Sequence, residues 1–218
     1  MAEKFGEEYF ECGTISNYQG YNSGKEFWKV LVENLIETYH PRKVLDVGCA
    51  KGFLVECFLD YGVEAYGVDI SSYALSKAPI KVRPLLRQVD LNYEPIPFPD
   101  ECFDLIICLD TLEHISELNN ALGEMSRCLK KSGRIYTKIP KPEHPDVKKD
   151  ATHVSLYSKV AWEDIFTKHC FKVKTIWPKS RGNILKKFPL PDLTRIIAYA
   201  LKKREKFYWF ELTIRPDR

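Results

Sequence analysis

Apolar segments of strand length and of helix length alternate along most of the chain. Short apolar runs predict five strands, at 43–47, 64–69, 86–90, 103–109 and 134–139. Apolar residues three and four positions apart predict the helices around them, at 23–39, 52–61, 72–78 and 116–130, the last closed by Gly133. Strands separated by helices imply crossover connections and a parallel sheet that is covered on both sides.

The end of the chain departs from this alternation. A helix is predicted near 158–169 and a strand at 171–177, followed by a long connection and a last strand at 207–214. The connection contains a helical stripe of Leu193, Ile196, Ile197, Ala200 and Leu201. Two terminal strands without a simple crossover indicate an antiparallel edge. We therefore expect an α/β, doubly wound, mostly parallel seven-stranded sheet with an antiparallel last strand and helices on both faces.

Composition fits one globular domain over residues 1–218. Hydrophobic residues make up 44% and charged residues 29% of the 218, which excludes a disordered or fibrous chain. The expected parts are an N-terminal segment and first helix at 1–40, a core at 41–140, and terminal helices and strands at 141–218. No apolar run approaches the ~18 residues that span a membrane, and the start does not resemble a secretion signal. Seven cysteines without a Cys-x-x-Cys pair favour the reducing cytoplasm.

The net charge of +3 conceals an asymmetry along the chain. Residues 172–218 carry 13 Lys and Arg against 4 Asp and Glu, whereas the first 171 residues carry 20 against 26. A basic end can attract an anionic substrate, nucleic acid or a membrane surface. Solvated basic side chains on ordinary exposed faces explain the same pattern equally well, so a nucleic-acid partner is possible but not favoured.

Four successive predicted strands end in an acidic residue: Asp46, Asp69, Asp90 and Asp110. Open α/β sheets bind ligands at the carboxyl ends of their strands, so these carboxylates predict a ligand site. The first turn has the spacing Gly-x-x-x-Gly rather than the three glycines of dinucleotide-binding proteins. Asp46, just before this turn, would repel a pyrophosphate. A ligand with a cationic end suits this site better.

These segments resemble the motifs of a known enzyme family. The run 44–52, Val-Leu-Asp-Val-Gly-Cys-Ala-Lys-Gly, resembles the first motif of class I S-adenosylmethionine-dependent methyltransferases, and 66–71 resembles the second. Asp90-Leu91 with 95–99, and 103–108 with 112–114, resemble the later motifs. The match covers residues 40–140 and is most similar to the branch called methyltransferase type 11. It implies a Rossmann-like fold, S-adenosylmethionine as cofactor and S-adenosylhomocysteine as product.

The resemblance also implies which residues surround the cofactor. The methionine part would lie against the first turn, formed by Asp46, Gly48, Cys49, Ala50 and Gly52. Asp69 would hold the ribose hydroxyls, and the adenine would lie against Ile70, Asp90 and Leu91. Cys108 and Leu109 would line the sulfonium. Ala50 stands where many members of the family have glycine, a difference that a small residue should tolerate.

Residues near both ends of this core are candidates for closing the site and for catalysis. Leaders of such enzymes often fold over the cofactor, and Tyr18 and Tyr21 are our candidates for that lid. His114 and His153 follow the fourth and fifth strands, and either is a candidate general base, with His153 slightly favoured. The pattern Asp110-x-x-Glu113-His114 resembles the metal-binding residues of some quinone O-methyltransferases, but we expect no metal here.

Several functions remain open at this stage. A small-molecule acceptor, such as a sugar or another anionic or hydroxyl metabolite, is favoured. An RNA or protein methyltransferase that uses the basic C-terminal region is one alternative, although the Asn/Asp-Pro-Pro-Tyr/Phe signature of base-amine methylation is absent after the fourth strand. A non-catalytic, cofactor-binding interaction protein is another. The expected state is a monomer or homodimer.

Overall fold

The computed structural model describes residues 2–12, 25–176 and 206–215. Seven strands form in this part of the chain, and their bounds are β1 Lys43–Val47, β2 Glu64–Asp69, β3 Leu86–Gln88, β4 Phe103–Leu109, β5 Leu129–Pro140, β6 Phe171–Thr175 and β7 Phe207–Ile214. Tyr18, Tyr21 and the apolar stripe 193–201 lie outside the described residues.

The seven strands form one sheet in the order β3-β2-β1-β4-β5-β7-β6. Strands β1 to β5 pair in parallel, and β7 is antiparallel to both of its neighbours. The prediction of a mostly parallel seven-stranded sheet with an antiparallel last strand is confirmed.

The two terminal strands form the predicted antiparallel edge of the sheet, with β7 lying between β5 and β6. Trp209, Phe210 and Leu212 of β7 are all buried, so this strand needs cover on both faces. The outermost strand is β6, whose exposed Lys172 and Lys174 suit a strand with one free side.

Helices pack on both faces of the sheet, as predicted. Their bounds are α1 Glu7–Glu11, α2 Lys25–Tyr39, α3 Phe53–Asp60, α4 Ser72–Ser76, α5 Leu118–Cys128 and α6 Lys159–Lys168. Strand β4 shows the division: Ile106 and Cys108 face the core under α5 and α6, while Leu105 and Ile107 face the core under α2 and α3. Within the described ranges, no helix has the length and apolar character needed to cross a membrane.

Two predicted boundaries require correction. The helix expected to continue to residue 130 and to end at Gly133 stops at Cys128, and β5 begins at once with Leu129. Leu129 is fully buried and pairs with Phe103, so burial in the sheet prevails over the helical tendency of the lysines that follow. Strand β3 ends at Gln88, which places Asp90 in the loop beyond it rather than at the strand terminus.

Candidate functional site

A pocket opens at the carboxyl ends of β1, β2 and β4. Its empty volume, counted with its open mouth, is about 650 Å³, within the roughly 300–1,000 Å³ typical of small-molecule sites. The described residues of its wall include three carboxylates, Asp69, Asp90 and Asp110, and neither lysine nor arginine. The wall is therefore suited to a ligand that carries positive charge or hydrogen-bond donors.

The first turn brings the backbone of β1 close to the loop after β4. Gly48 has φ +78°, and a Cβ atom built on it would lie 2.1 Å from Thr111 Oγ1. Glycine is required there both by the left-handed backbone and by the neighbouring side chain. Ala50 also has a positive φ of 48°, which gives a physical reason why glycine is common at this position.

Asp69 joins this turn to the next one. Its Oδ2 accepts the N–H of Ala50 at 2.7 Å, and its Oδ1 accepts the N–H of Ser71 at 2.8 Å. Burial raises the pKa of the Asp69 carboxyl, while the backbone donors act in the opposite direction. Both oxygens are fixed by the backbone, which orients the carboxylate in the pocket wall.

Asp46 is almost completely buried within β1. Burial and repulsion by Asp69 raise the pKa of its carboxyl to about 8. A cation brought near this pair would favour ionisation of Asp46, so the two carboxyls create an electrostatic preference for positive charge.

The loop after β3 supplies the opposite wall. Asp90 Oδ1 accepts hydrogen bonds from the backbone N–H and the side-chain amide of Asn92. The Asn92 amide oxygen in turn accepts the N–H groups of Ser116 and Glu117. This network fixes the Asp90 carboxylate against the start of α5.

The cofactor residues expected from the sequence divide into two groups. Those in the pocket wall are Gly48, Ala50, Asp69, Ile70, Asp90 and Leu91. Those outside it are Asp46, Cys49, Gly52, Cys108 and Leu109. Cys108 is fully buried in the sheet core. Where it was expected, the wall is formed by Asp110 and Thr111, two and three residues further along the chain.

Residues 2–12 cover the pocket, and three of their aromatic side chains belong to its wall: Phe5, Tyr9 and Phe10. The segment is attached to α4, because Ser71 Oγ donates to the Phe5 carbonyl at 2.5 Å and Phe10 stacks on Tyr73. An ion pair of 2.6 Å joins Glu11 to Lys51. The sequence interpretation assigned the lid to Tyr18 and Tyr21 and missed these three residues, which no sequence motif marks.

The buried side chain of Lys138 supports Asp110, the acidic residue that follows β4. The Lys138 side chain, 1% exposed, forms an ion pair with Asp110, whose side chain is 41% exposed. The rings of Phe207, Trp209 and Trp28 surround the ammonium at 4.5, 5.6 and 5.8 Å. Asp110 has a positive φ of 51°, and its N–H donates to the Lys138 carbonyl. The ends of β4 and β5 are thus held together by backbone and side chain.

His114 and His153 lie side by side, with ring centroids 4.8 Å apart, but differ in access to the pocket. His114 belongs to the pocket wall. His153 lies behind it, where its Nδ1 faces the Val147 carbonyl at 2.7 Å and its Nε2 lies 3.6 Å from Asp150. Burial and the neighbouring His153 lower the pKa of His114 to about 4.

Glu113 is buried beside the histidines, and its Oε2 has no hydrogen-bond partner. Burial and repulsion by Asp110 raise the pKa of its carboxyl well above the ordinary value. One ligand-type atom each of Glu113, His114 and His153 lies within 4.8 Å of the others, so this group could in principle hold a metal ion. A carboxyl binds a metal ion as the carboxylate, so this raised pKa disfavours a metal here. The absence of a metal therefore stays a prediction.

Comparisons with known proteins agree with this geometry. Residues 45–137 match the type 11 family model of the methyltransferase domain. A ubiquinone biosynthesis O-methyltransferase of Idiomarina loihiensis is 31% identical over 109 residues, which are 48% of this chain and 45% of the relative. The uncharacterized methyltransferase YcgJ of Bacillus subtilis is 32% identical over 143 residues, 57% of this chain and 55% of the relative. The chain thus spans about half the length of these curated relatives.

Solved structures share the fold. The crystal structure of YcgJ has a TM-score of 0.60 at 23% identity and covers 85% of this chain and 98% of that one. A SAM-dependent methyltransferase from Archaeoglobus fulgidus has a TM-score of 0.63 at 20% identity and covers 86% and 93%. The recognition made from the sequence is confirmed, since residues 45–137 match the type 11 methyltransferase domain model.

Proposed function

We propose that this protein is an S-adenosylmethionine-dependent methyltransferase that acts on a small-molecule acceptor within a single domain. The observation that carries the proposal is a pocket at the strand ends with three carboxylates and no described lysine or arginine in its wall. The cofactor has an ammonium and a sulfonium group, and it supplies an electrophilic methyl group when bound. A pyrophosphate ligand would meet repulsion from the same carboxylates.

Two carboxylates hold the nucleoside. Asp69, fixed by two backbone donors, accepts hydrogen bonds from the ribose hydroxyls with its remaining lone pairs. Asp90 accepts from the adenine amino group, the Leu91 N–H faces a ring nitrogen, and Ile70 contacts the ring face. This assignment is supported by the side chains of Asp69, Asp90 and Ile70, which all lie in the same pocket wall.

The first turn holds the methionine part. Gly48 and Gly52 let the backbone approach, with Cys49 and Ala50 between them. Behind the turn, the buried Asp46 carboxyl ionises more readily once the ammonium of the cofactor lies near it. Cys108 and Leu109 support the sulfonium region from β4, while Asp110 and Thr111 form its surface. Phe5, Tyr9 and Phe10 exclude water from above.

His114 or His153 accepts a proton when the acceptor must lose one. Both follow the strand ends that face the acceptor, and both lie beside the carboxylates Glu113 and Asp150. An acceptor with a strongly anionic reacting end fits poorly, because the described pocket wall offers no cation to it. A neutral hydroxyl metabolite fits better.

The two alternative functions proposed from the sequence would give different results in activity and binding measurements. An RNA or protein methyltransferase would need the basic C-terminal region as a binding surface, and its activity would fall steeply with salt. A non-catalytic interaction protein would bind the cofactor without turning it over. A monomer or homodimer is compatible with each.

Calorimetry and a mass-shift screen test the proposal. S-adenosylmethionine should bind saturably, while NAD, which carries a pyrophosphate, should give no heat. Metabolite pools incubated with methyl-labelled S-adenosylmethionine should yield a product heavier by the labelled methyl group. Cofactor binding without any labelled small molecule would favour one of the two alternatives, and no binding would overturn the cofactor assignment.

A further inference from the structure

The hydrogen bonds around His114 determine which of its nitrogens carries the proton. Its Nδ1 lies 3.0 Å from Thr152 Oγ1 and 3.3 Å from the Thr152 carbonyl oxygen. The Thr152 hydroxyl has one proton, which it donates to Asp150 Oδ1 at 2.5 Å. Both Thr152 oxygens are therefore acceptors toward His114. Nδ1 must carry the hydrogen, and in the neutral ring Nε2 holds the lone pair.

The loop that carries Thr152 is fixed in turn. Asp150 Oδ1 also accepts the Thr152 N–H at 2.8 Å, so the carboxylate closes a tight turn on its own loop. The N–H groups of Val154 and Ser155 donate to the Glu113 carbonyl at 2.8 and 2.9 Å, which attaches the loop to the residue just before His114. Hydrogen bonds thus attach the loop firmly to the segment that carries the histidine.

We propose that Thr152 and Asp150 are positioning residues that hold His114 in its Nδ1–H form, so that Nε2 accepts the proton of a hydroxyl acceptor. This inference rests on the proposed methyltransferase function and narrows it to O-methylation. As the acceptor oxygen forms its bond to the methyl carbon, its O–H bond breaks and the proton passes to Nε2, while the electron pair of the carbon–sulfur bond remains on sulfur. The proton later leaves His114 to solvent.

Charges on the surrounding elements support the imidazolium that forms. The carboxylates of Asp150 and Asp110 both favour the charged form of His114. Tyr9 from the N-terminal segment interacts with the Thr152 side chain. His153 opposes the positive charge, and its Nε2 lies 3.6 Å from Asp150.

Histidine NMR tests the positioning role independently of the acceptor. Nitrogen-15 spectra of the full chain at pH 7 should show His114 as the Nδ1–H tautomer. In Thr152→Val, which removes the hydroxyl and keeps the shape, that preference should weaken, as it should in Asp150→Asn. Thr175→Val is the matched control, because Thr175 donates to the Glu163 carboxylate on the exposed surface. An Nε2–H tautomer in the wild type, or no change in Thr152→Val, overturns the proposal.

The products of the labelled screen test the acceptor class. Methyl ethers or esters support the inference, and products methylated only on nitrogen or carbon overturn it. With the acceptor identified, Thr152→Val should lower kcat about 10- to 100-fold and His114→Ala about 10²- to 10⁴-fold, with KM and cofactor affinity changed little. A Thr152→Val enzyme that loses cofactor affinity as much as kcat would indicate a merely structural residue. Failure of the proposed function itself would appear separately, as absent cofactor binding in the wild type.

Discussion

The carboxylate of Asp69 accepts the backbone N–H of Ala50 at 2.7 Å, so the residue that ends β2 also shapes the turn that follows β1. One side chain therefore has two tasks: it orients the glycine turn, and it offers its remaining lone pairs to a ligand. The left-handed backbone of Ala50, at φ 48°, is held partly by this bond.

Asp69→Ala should lower the affinity for S-adenosylmethionine about 10- to 100-fold. Hydrogen bonds to a charged group contribute about 1.5–3 kcal/mol, which corresponds to that range. Calorimetry measures the effect, with Asp164→Ala on the exposed side of α6 as control. Unchanged affinity in a folded Asp69→Ala variant would contradict the ribose assignment.

Gly48→Ala should destabilise the protein more than Gly62→Ala does. Both glycines have a positive φ, +78° and +76°, so alanine costs about 1–2 kcal/mol at either position. Only at Gly48 does the new Cβ meet Thr111, and overpacking adds about 1–3 kcal/mol. Denaturant unfolding of the two variants isolates the difference. Equal losses would show that the Thr111 contact relaxes at little cost.

Asp46 should make the protein less stable as the pH rises from 6.5 to 8. The unfolded carboxyl, with an ordinary pKa of 3.8, is ionised throughout this window, whereas the folded carboxyl keeps its proton up to a pKa of about 8. The folded state binds the extra proton, so its stability is greatest at low pH and is lost toward pH 8, by at most about 1.4 kcal/mol per pH unit. Below pH 6.5 the lowered pKa of His114 has the opposite effect, because the unfolded histidine then binds a proton that the folded one does not. The comparison is therefore made between pH 6.5 and 8.

The variant Asp46→Asn should flatten this dependence, measured as the free energy of unfolding at several pH values. Asp104→Asn is the control, because the pKa of Asp104 is lowered and that carboxyl is ionised throughout the window. A wild-type slope that survives in Asp46→Asn would assign the proton to another group, such as Glu113.

Removing the two partners of the Lys138–Asp110 pair should have unequal effects. Asp110→Asn deprives a buried ammonium of its carboxylate, which costs on the order of 3 kcal/mol. Lys138→Met leaves a carboxylate that is already 41% exposed and can be hydrated, so its cost should be about 1 kcal/mol or less. Asparagine tolerates the left-handed backbone at this position, so the substitution adds little backbone strain to the measured cost. Thermal and denaturant unfolding test the order, and the reverse order would contradict it.

The sequence was sufficient to predict the convergence of the acidic residues. Parallel strands place their carboxyl ends at one edge, so Asp69, Asp90 and Asp110 meet in one pocket wall once the strands are recognised. The antiparallel last strand was also predictable, from the missing crossover.

Features that depend on tertiary contacts were not predictable. Lys138 reads as a polar residue in a strand, and only its pairing with Trp209 of β7 shows that its side chain is enclosed by aromatic rings. Phe5 and Tyr9 lack a motif, and their place in the pocket follows from contacts with His114 at 5.4 and 6.3 Å between ring centroids. The end of α5 at Cys128 was missed because the burial of Leu129 decides it.

The position of β7 between β5 and β6 has a consequence for how the protein is made. A ribosome releases β6 well before β7, yet within the described part of the chain β6 pairs only with β7. During synthesis the nascent sheet can therefore assemble from β1 to β5, together with the turns that carry Gly48 and Asp69, while β6 waits as an unpaired strand. The exposed lysines of β6 oppose pairing with strands of other molecules. This protection matters most before β7, the only described partner of β6, has emerged from the ribosome.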